Sequence, residues 1–155
     1  MRGRRIPLAL LPAPSASVMR RQIVRVRLAE VLVLAPAIDS GQAKALHDLR
    51  IACKRLRYAL ELHRGALPPE AERAERTLAA LQDLLGEIHD CDVLRSISAK
   101  GDAGGVARII ARDRRTLLAR ARRLWREAFG DDGALSELAP YAGLSSPQGA
   151  AGAAP

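Results

Sequence analysis

Apolar residues recur along this chain at spacings of three, four and seven, and no segment shows the sustained two-residue alternation of a half-buried strand. The first helix is predicted from Ser15 or Ser17 to Leu34, with Val18, Ile23, Val24, Val26, Leu28, Val31, Leu32 and Leu34 as its apolar positions. Its valines would suit a strand, but its length and polar flanks favour a helix. Asp39-Ser40-Gly41 reads as a turn and a helix start. A second helix is predicted from about Gln42 to Arg64, ending near Gly65. Ala45, Leu46, Leu49, Ala52, Cys53, Leu56, Ala59 and Leu60 form its apolar arc.

Pro69 or Glu70 opens a third helix whose acidic start suits the helix dipole. Leu78, Leu81, Leu84, Leu85 and Ile88 form its stripe, and Gly86 within it reads as a point of close helix packing. A break is predicted from His89 to Asp92, followed by a short helix to about Ser98. Gly101 to Gly105 reads as a loop. The fourth main helix is predicted from about Gly105 to Phe129. Val106, Ile109, Ile110, Leu117, Ala121, Leu124 and Ala128 are expected inside, and Arg108, Arg112, Arg115, Arg122, Arg123 and Arg126 outside. Trp125 and Phe129 read as core or interface anchors.

The pattern therefore predicts an all-α fold, an antiparallel bundle of about four main helices joined by short loops. Residues 1–14, rich in Pro and Arg, are expected to be flexible. Residues 15–130 form the predicted domain. Residues 131–155 turn acidic and then Ala-, Gly-, Ser- and Pro-rich, and are expected to be a disordered tail.

Composition narrows the function. The chain has 155 residues, 48% hydrophobic and only 3% aromatic, so aliphatic side chains must fill one core. The formal charge is +8, and most of the basic excess is arginine, which grips phosphate bidentately. A polyanionic partner is one reading, and solvated basic helix faces are the other. Cys53 and Cys91 form no CxxC pair and no disulfide framework, which suits a reducing cytoplasm. No apolar run reaches the roughly 18 residues of a membrane-spanning helix. Pro7, Pro12 and Pro14 interrupt the short apolar start, which argues against a secretory signal.

The candidate chemistry concentrates in the second helix. His47, Arg50, Lys54 and Arg57 follow helical spacing and share a narrow arc beside the apolar one. Such a row suits a ligand with regularly repeated negative charge, although a solvated face would carry the same spacing. His89, Asp90 and Asp92 place ligand-type side chains close together, so a divalent metal site is conceivable. The preferred reading is that Asp90 and Asp92 cap a following helix or pair with the basic row. No HExxH motif or paired histidine motif is present, and no metal or cofactor is expected. His63, near a helix end, is given no function.

Two segments carry a resemblance to a family. His47-Asp48-Leu49-Arg50 is followed by Lys54-Arg55-Leu56-Arg57-Tyr58, and later by Leu81-Gln82-Asp83-Leu84-Leu85-Gly86-Glu87-Ile88-His89-Asp90-Cys91-Asp92-Val93. In this order and at this separation they resemble the CHAD domain, named for conserved histidines in an α-helical domain. The stretch Ala35-Pro36-Ala37-Ile38-Asp39 resembles the lead-in of short members, and the resemblance spans residues 18–94. It implies a helical fold, typically of two four-helix bundles related by internal pseudo-symmetry, with basic residues lining a central surface. It implies binding of inorganic polyphosphate. This chain has about one bundle's worth of helices, so the resemblance is to half of such a domain. A homodimer, a fragment of a longer domain, or a smaller site would each account for that.

On this reading Arg50 and Arg57 grip phosphate oxygens through paired N–H bonds, Lys54 adds a compact charge between them, and His47 donates a ring N–H. Lys44 and Arg55 lie off the arc as secondary contacts, and His89 reaches the same surface. Gln82, Asp90 and Asp92 support the row from behind. The expected function is non-enzymatic polyphosphate binding in the cytoplasm, with association to polyphosphate granules as its extension. A general nucleic-acid binder and a metal-dependent phosphohydrolase using His47, His89, Asp90 and Asp92 are the alternatives. The scarcity of aromatics for base stacking weighs against the first. The second needs a metal and an activated water.

Overall fold

The computed structural model describes residues 14–98 and 104–145. Ser15 caps the first helix, α1 (Ala16–Val33), its side chain accepting from the Val18 N–H. A five-residue helix, α2 (Pro36–Ser40), follows, with Pro36 at its start. Only a turn was expected there. Gly41 ends it at φ +64, where a Cβ would also strike the Leu118 side chain, so glycine serves both the turn and the close approach. Next come α3 (Ala43–Leu62), a single 3₁₀ turn (Arg64–Ala66) and α4 (Glu70–Ser98). The chain continues into α5 (Gly104–Ala128) and α6 (Ala134–Tyr141). No strand occurs among the described residues, so the fold is the expected all-α bundle, with α1, α3, α4 and α5 as its four long members.

The centre is α4, which packs against α3, α5 and α6, while α1 closes over α3. Leu28, Leu49, Leu56, Leu78, Leu81, Leu85 and Ile88 are fully buried. Each such side chain stabilises the fold by about 1.5–3 kcal/mol relative to exposure. Trp125 and Phe129 are core residues with ring centroids 4.6 Å apart.

Four expectations are corrected. The break from His89 to Asp92 does not occur: α4 runs unbroken to Ser98. Ile88 is fully buried, Cys91 packs against the core, and no glycine or proline interrupts residues 87–98, so the helix has reason to continue. Gly86 is not a close-packing point, because a Cβ there would meet no atom within 4 Å. Val106 and Ile109 are 52% and 53% exposed rather than inside. Burial on α5 starts at Ile110, and Val93, Leu94 and Ile97 at the end of α4 are exposed too, so both helix ends run past the core. The fourth concerns residues 131–155, expected to be a tail. They contain α6, whose Leu135 and Leu138 are fully buried. Gly133 permits that return, since a Cβ would run into the Ala128 backbone carbonyl. The flexible start expected for residues 1–14 lies almost wholly outside the described residues, as do residues 146–155.

Candidate anion-binding site

Helix α3 presents its apolar arc to the core and its basic row to the groove beside α4. Two contacts between the helices, and one from the turn just after α3, fix their antiparallel register. The Arg64 guanidinium pairs with Glu75 at 2.6 Å, Arg57 Nε donates to Gln82 Oε1 at 2.7 Å, and the His47 and His89 rings lie 5.3 Å apart between centroids. Arg50 and Lys54 fall level with the stretch of α4 between Gln82 and His89. The row thus runs along a seam between two helices rather than over an open helix face.

The donors in this seam are incompletely used. Arg57 gives Nε to Gln82 and reaches Glu61 with Nη1 at 3.4 Å, while Nη2 has no hydrogen-bond partner among the described residues. Its guanidinium carbon lies 4.7 Å from the Tyr58 ring centroid, and the Lys54 ammonium lies 5.5 Å from the same ring. Both cations therefore lie within cation–π range of the Tyr58 ring. Among the described residues, four buried side-chain polar atoms lack a hydrogen-bond partner, and two of the four, His47 Nδ1 and Arg50 Nε, belong to the row. An unsatisfied buried donor costs about 1–3 kcal/mol, so its presence calls for a physical reason.

The remaining candidates differ in their surroundings. Lys44 is exposed and pairs with Asp48 at 2.8 Å. That hydrogen bond raises the Lys44 ammonium above its ordinary value and lowers the Asp48 carboxyl. Arg55 is exposed and off the arc. His89 joins His47 in an open groove that Lys44, Asp48, Asp92, Val93 and Ser96 also line. Behind the row, Cys53 is buried in the core, and desolvation pushes its thiol up to about 12. Burial first, and then the nearby Asp113, raise the half-buried Cys91 thiol.

Neither aspartate hydrogen-bonds to the row. Asp92 is claimed by Arg114 of α5, which donates from Nε to Oδ1 at 2.7 Å and from Nη2 to Oδ2 at 3.1 Å. The same Nη2 donates to the Gly41 carbonyl at 2.8 Å, so Arg114 ties α4 to the end of α2. Asp90 is exposed and borders a different hollow with Cys91, Asp113 and Thr116. Neither residue caps a following helix, because α4 does not end there. Of the three residues expected behind the row, Gln82 hydrogen-bonds to it, and Asp92 lines the groove with His47 and His89. Among the described residues no group of three or more His, Cys, Asp or Glu side chains is arranged to hold a metal ion.

The signature segments read from the sequence lie on the two helices that form this seam. The CHAD domain family model matches residues 6–99, more than half of the chain. The protein belongs to the CHAD family. The match runs from before α1 to just past α4, so the whole seam of this CHAD protein lies inside it and α5 and α6 lie beyond it. No curated protein and no solved structure matches the chain. No helix among the described residues is long and apolar enough to cross a membrane.

Sequence reasoning passed over three contributors. Tyr58 stood inside the motif, but only the structure shows that it lies within cation–π range of Lys54 and Arg57. Arg114 was absent from the list of outward arginines; its place four residues after Ile110 and seven before Ala121, on the buried face, was the available signal. Arg122 was expected outside, yet it donates to the Ile38 carbonyl at 3.0 Å and the Asp39 carbonyl at 2.6 Å.

Proposed function

We propose that the α3–α4 seam binds inorganic polyphosphate without catalysing its hydrolysis. The observation that carries this reading is the pair of buried, unpartnered nitrogens on His47 and Arg50, beside an Arg57 oriented by Gln82. Arg50 Nε is an unspent donor and His47 Nδ1 an unspent ring nitrogen in a basic seam, and phosphate oxygens supply acceptors in number. A polyphosphate chain has no base edges, so a binder needs charge and donor geometry and no sequence-reading surface. Arg50 and Arg57 form charge-assisted bonds to its oxygens, Lys54 adds charge between them, and His47 and His89 flank the far end. The resemblance to polyphosphate-binding CHAD domains supports the same ligand. The commitment of Asp92 to Arg114 favours binding over hydrolysis, since that carboxylate is occupied.

Titration with long-chain polyphosphate, followed by fluorescence at low salt, tests the proposal. We expect sub-micromolar affinity that falls with added salt, as counterion release requires. The double variant Arg50→Ala, Arg57→Ala should lose it. Duplex DNA at equal phosphate concentration should fail to displace polyphosphate; displacement would make the protein a general nucleic-acid binder. Phosphate release from tripolyphosphate with Mg²⁺ or Mn²⁺ should be absent, and turnover there would overturn the non-enzymatic reading.

A further inference from the structure

Gly86 occupies the middle of a 29-residue helix, where glycine is a poor choice. Neither packing nor backbone geometry accounts for it. A Cβ at this position would meet nothing within 4 Å, and Gly86 is not among the glycines with positive φ. The residue is nevertheless half-buried, and the space a side chain would take there is open.

Helical spacing places this open position beside the α3–α4 seam. Gly86 follows Gln82 by four residues and precedes His89 by three, so all three share a face of α4. Gln82 holds Arg57 and His89 meets His47. In the antiparallel register, Gly86 is therefore level with Arg50 and Lys54, whose Arg50 Nε is buried without a partner. The seven residue steps from Gln82 to His89 rise about 10 Å along the helix, a length that spans several phosphate units. Gly86 leaves bare helix backbone midway along that track.

We infer that Gly86 is a specificity-determining position of the seam: its missing side chain lets an unbranched phosphate chain lie against α4 and reach the donors on α3. The inference rests on the polyphosphate reading. The backbone N–H of Gly86 is inside a helix and not free to donate, so its contribution is space alone. The side chains that the helix would otherwise favour here, such as alanine or leucine, would fill the path.

Stability and affinity should therefore move in opposite directions. Gly86→Ala gains helix propensity without a clash and should raise the melting temperature by about 4 °C. It should weaken polyphosphate binding several-fold. Gly86→Leu should weaken it more than tenfold while the protein stays folded by circular dichroism. Ala80→Leu, adding similar bulk at an exposed position about 120° around α4 from Gly86, should leave affinity unchanged. Polyphosphate affinity is measured for all of these beside the Arg50→Ala, Arg57→Ala double variant. If the double variant loses binding but Gly86→Leu binds like the unaltered protein, the role of Gly86 is overturned and the seam stands. Equal weakening by Ala80→Leu and Gly86→Leu also overturns it. If the unaltered protein does not bind polyphosphate, both proposals fall together.

Discussion

Two groups of arginines lie on either side of α4 and meet opposite fates. Arg114 and Arg122 reach in from α5, and their donors are spent: Arg114 on the Asp92 carboxylate and the Gly41 carbonyl, Arg122 on the Ile38 and Asp39 carbonyls. Arg50 and Arg57 stand on α3, and theirs are only partly spent, with Arg50 Nε buried and unpartnered. The first group closes the end of α2 and stitches three helices together. The second leaves donors in a seam where a ligand can take them. A net charge of +8 does not distinguish these uses, whereas the hydrogen-bond partners do. Arginine content alone is therefore a weak guide to anion binding.

The comparison needs the interior behind the row to be dry, and Cys53 tests that. Its thiol is held up to about 12, against an ordinary 9.0, by desolvation. At pH 8 the thiolate fraction should fall about a thousand-fold relative to the unfolded chain, and disulfide-reagent titration of the native protein should modify Cys91 well before Cys53. The sign follows from burial of a neutral acid. The unfolded thiol ionises near 9.0 and the folded one near 12, so this contribution to stability is whole below about pH 9 and declines above it. Fast labelling of Cys53 in the folded protein would show that water reaches the inner edge of the row.

The arginines themselves give the next effect. Arg114→Ala strands Asp92, whose side chain is only 14% exposed, and should cost about 3 kcal/mol in urea unfolding while polyphosphate affinity is kept. Arg50→Ala should do the reverse, weakening binding while removing an unsatisfied donor at no loss of stability. If Arg114→Ala weakens binding and spares stability, the two groups have been assigned the wrong way round. Arg122→Ala should cost about 1–2 kcal/mol by leaving two carbonyls at the end of α2 short of partners. The smallest change belongs to Lys44, which is exposed and tied to Asp48. Lys44→Ala should alter affinity less than about twofold, as surface pairs contribute little. A larger loss would extend the seam toward the start of α3.

Much of this protein was legible before folding was considered. The apolar spacing of α3 placed Leu49, Leu56 and Leu60 inside and His47, Arg50, Lys54 and Arg57 together beside them. Ser15, Gly41 and Glu70 marked helix ends close to where they occur. Periodicity failed where the answer depended on a distant partner. Asp92 looked like support for the row, but Arg114 lies 22 residues away on another helix and takes it. Residues 134–141 looked too rich in small side chains to fold, yet α4 and α5 offer a surface on which Leu135 and Leu138 are buried.

Helices, their faces and the basic row follow from the order of residues alone, because helical geometry is local and repeats every 3.6 residues. The same order carries the signature that places the chain in its family. Which arginine is spent and which is open, whether α6 folds back, and what lies beside Gly86 follow only from the packing of helices. Those outcomes depend on groups brought together from far along the chain, and on whether burial leaves each donor a partner.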